Sequence, residues 1–285
     1  MLLAVSGGKD SFTLLDVLSE LHNTNRLIAL SINEGIKNST RSEEIELIRK
    51  VAKERGVDHL VVTFQEYFGL SLDEIMARSM ERKLGIKACT FCGVFKRRII
   101  DDIAKSIGAD RVVTAHNLDD EAQSILMNIL RGDIIGLIKT HPISSTATKY
   151  FVPRIKPLRK IYEWEAATYA IKSGYRVRSR DCPYLHLMPT LRLSLRLSLY
   201  ELEYQRPGTL LKMIEYMDTL LEPLAKREAE RENKLGKCTR CGYPTSPGRV
   251  LCKVCELLEH VGLTTPPKGL NLNILSTRVQ RLHRQ

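Results

Sequence analysis

Residues 3–11, Leu-Ala-Val-Ser-Gly-Gly-Lys-Asp-Ser, limit what this chain can fold into more than any other stretch. A short apolar run breaks into Ser6-Gly7-Gly8 and then enters an amphipathic stretch from Phe12 to Leu21, which reads as strand, tight turn, helix. Glycines let the backbone approach a ligand closely, and a new helix offers unpaired N–H groups at the positive end of its dipole. Lys9 adds a point charge, and Ser6 and Ser11 add hydroxyls, so the turn suits an anion of phosphate size. It is not a Walker A loop, which needs four residues between its first Gly and a Gly-Lys-Ser/Thr. Gly-Gly alone favours an ordinary βα turn, and it is the whole hexapeptide that reverses that reading.

The downstream pattern decides the fold class. Leu27 to Ile32, Val57 to Thr63 and Arg111 to Ala115 read as strands, and Ser42 to Arg55, Phe91 to Ile107 and Leu118 to Leu130 as helices. Ile161 to Lys172 and Tyr175 to Val177 add a further helix and strand, with Trp164 at helical spacing from Ile161 and Thr168 and expected in the core. Apolar strands alternating with helices predict an α/β fold, a parallel Rossmann-like sheet with helices on both faces. Ligands of such sheets sit at the carboxyl ends of the strands, here Ser6 and His116. Residues 133–153 read as a loop-rich connection. After Cys182 the composition shifts to a Leu/Arg-rich segment from Arg192 to Tyr204, then a helix from Thr209 to Arg231, two cysteine pairs and a Pro-Pro tail. The expected division is 1–181, a nucleotide-binding domain; 182–232, a helical segment; 233–262, a four-cysteine ribbon; and 263–285, a basic tail. No run approaches the eighteen or so apolar residues of a membrane span and no signal peptide precedes the first strand, so a cytoplasmic protein without a membrane partner is expected.

Seven cysteines in such a compartment point to metal more than to disulfides. Cys238-x-x-Cys241 and Cys252-x-x-Cys255 are separated by a turn-rich stretch holding Gly242, Pro244, Pro247 and Gly248. Two such knuckles supply four thiolates tetrahedrally to Zn2+, and a closed set of four is structural. Cys89-Thr-Phe-Cys92 and Cys182 remain. Three thiolates leave one position open on a metal or an iron–sulfur cluster, while the spacing also fits a redox pair plus a buried apolar cysteine. Lys96, Arg97 and Arg98 beside the pair, and Arg178, Arg180 and Asp181 beside Cys182, favour thiolates. His116-Asn117-Leu118-Asp119-Asp120-Glu121 follows a strand and opens a helix. Asn117 suits an N-cap, and three acids exceed what a cap needs, which leaves Mg2+ binding or proton handling open. The net charge of +11 suggests a polyanionic partner, with Arg154, Lys156, Arg159, Lys160, Arg176, Arg178 and Arg180 as candidates for a phosphodiester track.

Ser6-Gly-Gly-Lys-Asp-Ser11 resembles the PP-loop of the N-type ATP pyrophosphatases, which cleave ATP between its α- and β-phosphates to make an adenylate. Taken with Cys89-x-x-Cys92 and Lys96, His116-Asn-Leu-Asp-Asp-Glu-Ala-Gln123, Cys182-Pro-Tyr184 and the final four cysteines, the order is similar to that of the TtuA-like tRNA 2-thiolation enzymes. Arg196-x-x-x-Tyr-Glu-Leu-Glu203 and Pro207-Gly-Thr209 resemble that family's RNA-side helices. The resemblance implies ATP on Ser6, Gly7, Gly8, Lys9, Asp10, Ser11 and His116, with Mg2+. It also implies a [4Fe–4S] cluster on Cys89, Cys92 and Cys182 whose fourth iron can hold hydrosulfide, and zinc on the ribbon. Lys96 and Asp120 match catalytic positions, and the cluster cysteines take part in the chemistry. The implied reaction adenylates the C2 oxygen of a tRNA uridine and replaces it by sulfur, giving 2-thiouridine. Implied partners are tRNA, a sulfur donor such as a ubiquitin-like thiocarboxylate carrier, and a second copy of the chain.

Two features depart from the family pattern. A Cys/His zinc finger usually precedes the PP-loop, whereas Met1 here lies directly before the first strand. Leu185 to Leu199 is unusually Leu/Arg/Ser-rich, and Tyr200 stands where Asn is common. The rival readings are 2-thiocytidine synthesis of TtcA type, a PAPS-reductase-like enzyme, a lysidine synthetase, and a non-catalytic zinc-ribbon nucleic-acid-binding protein. No C-terminal Glu-Cys-Gly segment supports the reductase, a lysidine synthetase has no need of the cysteines, and Lys9, Asp10 and the three-cysteine set argue against a dead fold.

Overall fold

Alternation in the first strand divides the molecule. In β1 (Leu2–Ala4), Leu2 packs into one core and Leu3 into another on the opposite side of the sheet, as the two-residue strand repeat requires. The computed structural model describes residues 1–145, 150–176, 182–187, 191–231 and 235–267. Around β1 lie β2 (Ile28–Asn33), β3 (Asp58–Thr63), β4 (Val112–Thr114) and β5 (Arg154–Ile155), all parallel in the order β3-β2-β1-β4-β5. Helices α1 (Lys9–Leu21) and α2 (Arg41–Glu54) cover one face with Leu14, Leu15, Leu18 and Ile48. Helices α3 (Phe64–Phe68), α4 (Leu72–Glu81) and α5 (Ala88–Ser106) cover the other with Phe64, Phe91, Phe95 and Ile99. Each of these four side chains is fully buried, which stabilises the packing by about 1.5–3 kcal/mol per side chain.

Beyond the sheet, α6 (Leu118–Arg131), α7 (Ile134–Ile138), α10 (Leu191–Gln205) and α11 (Thr209–Arg231) share a third core around Leu118, Ile125, Leu199, Leu210 and Ile214. Helix α8 (Glu163–Lys172) packs on α1 through the Thr13 hydroxyl, which donates to the Ala166 carbonyl at 3.1 Å. Short α9 (Pro183–Leu187) is tied to α4 by the Tyr184 hydroxyl, which donates to Asp73 at 2.7 Å. A hairpin of β6 (Gly236–Lys237) and β7 (Pro244–Thr245), with α12 (Lys253–His260), closes the described chain. Cys238, Cys252, Cys255, Leu257 and Leu258 are buried in the same core as α5, so the ribbon is docked on the sheet rather than appended to it. No helix among the described residues is long and apolar enough to cross a membrane.

Several expectations change. Helices α3 and α4 add to the expected elements, and capping boxes at Thr63 with Glu66 and at Ser71 with Glu74 start them. Tyr175 and Arg176 lie outside the sheet, and Val177 is outside the described residues. Tyr175 instead stacks on Phe12, ring centroids 4.1 Å apart, and the fifth strand comes from Arg154–Ile155. Trp164 is not core but 63% exposed, because α8 buries only the thin Ala166 and Ala170 face. The basic candidates serve internal ion pairs: Arg154 with Asp101 at 2.5 Å, Lys156 with Glu121 at 2.7 Å, Arg159 with Glu121 and Asp218, and Lys160 with Glu215. Arg178 and Arg180 lie outside the described residues.

Candidate active site

The phosphate loop is built around Gly7. Its φ of +91° is a conformation that L side chains avoid, and a Cβ there would sit 2.5 Å from Glu44 Cβ and 2.8 Å from the Glu44 carbonyl oxygen. The Gly7 amide donates to Ser11 Oγ at 3.0 Å, Ser11 Oγ donates to the Gly8 carbonyl at 2.9 Å, and the Tyr175 hydroxyl donates to the Gly7 carbonyl at 2.6 Å. Gly8 is the N-cap of α1 and offers no side chain to occupy the first N–H groups, which leaves the helix start open to an anion. Lys9 departs from expectation. Its ammonium turns to Glu163 at 2.7 Å and Asp10 at 2.9 Å; burial alone would depress it, but the two carboxylates hold it above the ordinary lysine value.

A cavity of about 420 Å³ opens at the carboxyl ends of β1, β2 and β4, where a doubly wound sheet binds its ligand. It brings together Ser6, Gly8, Asp10, Ser11, Lys96, His116 and Asp120, and adds Arg41, Arg97 and Arg154. Lys9 and Gly7 do not line it: the first faces Glu163 and the second is wedged against α2.

Helix α5 supplies a cysteine pair beside this cavity. Cys89 and Cys92 sit on its first turn, and Lys96 follows Cys92 by one turn, which places Cys92 and Lys96 on a common face. Cys89 and Cys182 are exposed and Cys92 is half-buried. Burial pushes the Cys92 thiol up to about 11, against the downward pull of Lys96 and Arg41, and Cys182 is close enough to add to the rise. Lys96 thus favours the Cys92 thiolate as its place in the sequence suggests, with burial acting against it. Arg98 points to the ribbon instead, and the charges near Cys182 at 178, 180 and 181 lie outside the described residues. Gly93 lines the cavity, and a Cβ there would meet nothing within 4 Å; space is open beside the cysteine pair.

Two residues that sequence reasoning missed complete this side. Glu34, 1% exposed at the end of β2, pairs with Lys96 and accepts from Arg41 Nε at 2.9 Å. Burial raises the Glu34 carboxyl, and the two cations outweigh it, so it lies below the usual range; Lys96 is held up in turn by Cys92 and Glu34 against its own burial. Arg41 also donates to the Ser6 carbonyl. The one available signal was Asn33-Glu34-Gly35 directly after a strand, with Gly35 at φ +73°.

At the start of α6, Asn117 caps by accepting from the Asp120 amide at 3.0 Å and donates to Asp10 at 3.1 Å. Two of the three acids are structural: Asp119 accepts from the Glu163 amide at 2.7 Å, and Glu121 holds Lys156 and Arg159. Asp120 alone of the three lines the cavity, with Arg192 of α10 at 3.4 Å. Burial lowers the pKa of His116, whose Nδ1 lies 3.0 Å from Thr114 Oγ1.

The second cysteine set is tighter. Cys238, Cys241, Cys252 and Cys255 bring their sulfurs within 4.8 Å of one another, with 3.7 Å between Cys241 and Cys252. A tetrahedral ion with Zn–S bonds of ~2.3 Å has sulfur–sulfur edges of about 3.8 Å, so the set fits one mononuclear metal ion. Among the described residues it is the group of His, Cys, Asp and Glu that meets this spacing; Cys89, Cys92 and Cys182 are spaced more widely.

Residues 1–179 match the PP-loop domain family. The chain is 33% identical over 270 residues to the tRNA 2-thiolation protein NcsA of Haloferax volcanii, covering 91% of this chain and 81% of that protein. It is 34% identical over 274 residues to the cytoplasmic tRNA 2-thiolation protein 1 of Danio rerio, covering 94% and 76%. Among solved structures it resembles the U34-tRNA thiolase NcsA of Methanococcus maripaludis with its [4Fe-4S] cluster, at a TM-score of 0.72 and 30% identity over 92% of this chain and 80% of that one. With these proteins aligning over nine-tenths of its length and the domain family over residues 1–179, the chain belongs to the tRNA 2-thiolation proteins of the PP-loop family.

Proposed function

We propose that the protein is an ATP-dependent tRNA-uridine 2-sulfurtransferase. The observation that carries the reading is the convergence of the open helix start at Gly8, Lys96 and Asp120 on one cavity beside Cys92. Oxide is a poor leaving group from C2 of uracil. The C2 oxygen therefore attacks the α-phosphorus of ATP, pyrophosphate departs, and the base carries AMP. A sulfur nucleophile then adds at C2, the C–O bond breaks, and AMP leaves with the oxygen.

The residues divide this work. Ser6, Gly8 and Ser11 hold the phosphates at the helix start, where preorganised N–H dipoles stabilise developing charge. Lys96 meets the α-phosphate, and Glu34 and Arg41 fix its position. Asp120 orients the uridine or takes its proton, and Asp10 and Asp120 are the carboxylates that would hold Mg2+. Cys89, Cys92 and Cys182 fit a [4Fe–4S] cluster by donor chemistry, by a spacing wider than a single ion needs and by the open space at Gly93. When bound, the cluster supplies a Lewis-acidic iron with a position free for sulfur. The four-cysteine ribbon holds zinc as a structural ion, and the sulfur arrives from a separate donor, for which a thiocarboxylate-bearing carrier is the expected class.

The test is a single-turnover reaction of anaerobically purified protein with unmodified tRNA, ATP and sulfide, followed by nucleoside mass spectrometry. One 2-thiouridine per AMP and per pyrophosphate is expected. Formation of ADP and phosphate, or sulfur appearing in cytidine, would overturn the proposal.

A further inference from the structure

A second cavity, about 650 Å³, lies on the other side of Lys9 and Asp119 from the phosphate-loop cavity. Its lining is mostly apolar and includes four aromatic residues, Tyr162, Trp164, Tyr200 and Tyr204. Trp164 is 63% and Tyr204 86% exposed, so together with Tyr162 and Tyr200 they form a contiguous exposed aromatic surface. The rings are braced rather than loose. Trp164 stacks on Tyr162 with centroids 6.0 Å apart, Tyr162 donates to Glu203 at 3.0 Å, and Tyr200 is bonded to Glu163 and receives Arg196 Nε at 2.8 Å.

We infer that this cavity receives an unpaired nucleobase of the RNA substrate, next to the nucleotide being modified, by stacking on Trp164 and Tyr204. The inference rests on the RNA reading proposed above. Three observations favour a base over other occupants. Flat apolar faces stack bases regardless of sequence. The charged groups of the wall are engaged with one another, Glu163 with Lys9, Arg196 and Tyr200 and Glu203 with Tyr162, so the surface left to a ligand is the aromatic one rather than a phosphate site. Neighbouring residues, Lys9 with Asp10 and Asp119 with Asp120, line the two cavities back to back, so a strand threading one would reach the other within a nucleotide or two.

Trp164 is the chain's single tryptophan, so its emission reports on this cavity alone. Titration of the whole protein with unmodified tRNA is expected to quench that emission in step with binding measured by mobility shift. An RNA duplex without unpaired bases should leave it unchanged. Trp164→Ala and Tyr204→Ala should each weaken tRNA binding roughly ten-fold, with Trp164→Phe and Tyr204→Phe close to wild type; both side chains are exposed, so folding is not at risk. Binding without a change in emission, and with unaltered affinity of the alanine variants, would overturn the inference and leave the tRNA reading standing. Absence of tRNA binding would overturn both. Quenching by ATP alone would assign the cavity to adenine, and a concentration-dependent change without RNA would assign it to a second copy; either overturns the inference.

Discussion

Glu34→Gln is the most informative single change. The carboxylate is 1% exposed, pairs with Lys96, and accepts from Arg41 Nε at 2.9 Å and Arg41 Nη2 at 3.2 Å. Glutamine preserves shape, removes the charge and turns an amide N–H2 towards a cation. Removing one partner of a buried ion pair costs about 3–5 kcal/mol. The side chains of Lys96 and Arg41 keep 30% and 20% exposure, and Arg41 retains Glu44 at 3.0 Å, so the lower end applies, about 3 kcal/mol. For a chain of this size that lowers Tm by roughly 6–12 °C.

Calorimetry on anaerobically purified protein reads the loss, and a second variant tests the reasoning. Glu34→Gln with Lys96→Met removes one opposite charge from each side, so the double variant should recover about half of the lost Tm. Its turnover should stay at or near zero because Lys96 is gone. A single variant within about 2 °C of wild type, less than about 1 kcal/mol, would show that Glu34 does not hold the two cations. A double variant no better than the single would refute the pairing itself.

Three further outcomes follow from local geometry. Gly7→Ala forces a Cβ to 2.5 Å from Glu44 Cβ at a left-handed φ, and strain of about 1–2 kcal/mol should weaken ATP binding roughly ten-fold by titration calorimetry; unchanged affinity would disprove the cradle. Metal analysis should separate the cysteine sets: Cys182→Ala loses iron and keeps zinc, and Cys241→Ser loses zinc and lowers Tm, because its partners Cys238, Cys252 and Cys255 are core residues. His59, lowered by burial to about 4 against an unfolded value of about 6.5, stays neutral in the fold. The unfolded chain therefore takes up the proton first, and stability present above pH ~6.5 is lost as pH falls towards 4, by at most about 3 kcal/mol. The Tm of His59→Gln should fall less steeply across that range, and parallel curves would contradict it.

What could be read from residue order is what short-range chemistry dictates. Gly7 needs a left-handed turn, α6 follows from its apolar periodicity with Asn117 as a cap, α11 keeps its apolar face through Pro223, and two Cys-x-x-Cys knuckles with a turn between them suit one shared metal ion. The other features of the site depend on partners far apart in sequence. Glu163 reaches Lys9 across more than 150 residues, and no local pattern predicts that the loop lysine turns away from the phosphate cavity. Glu34 and Arg41 looked like an ordinary loop acid and helix cation until Lys96 was brought against them. The exposure of Trp164 escaped the periodicity argument because spacing fixes which residues share a face, and the partner's shape fixes which face is covered.

Helix α5 gives these separate parts a common frame. Its first turns carry Cys89, Cys92 and Lys96; two residues on, Arg98 is 8% exposed and donates to Cys241 Sγ at 3.4 Å and to Asp102 at 2.6 Å, with its guanidinium 4.1 Å from the Tyr243 ring centroid. Asp101 accepts from the Tyr243 hydroxyl at 2.6 Å and from Arg154, a residue of the cavity wall. A planar guanidinium that must satisfy a carboxylate, a sulfur and an aromatic face at once leaves little freedom to the helix bearing it. The apolar side of α12 packs into the same core as Phe91 and Phe95, so sliding α5 would open voids on two fronts, and close-packed interiors resist that. The ribbon thus braces the cavity mechanically: Cys241, Tyr243 and the apolar side of α12 hold the far half of the helix whose near half presents Cys92 and Lys96.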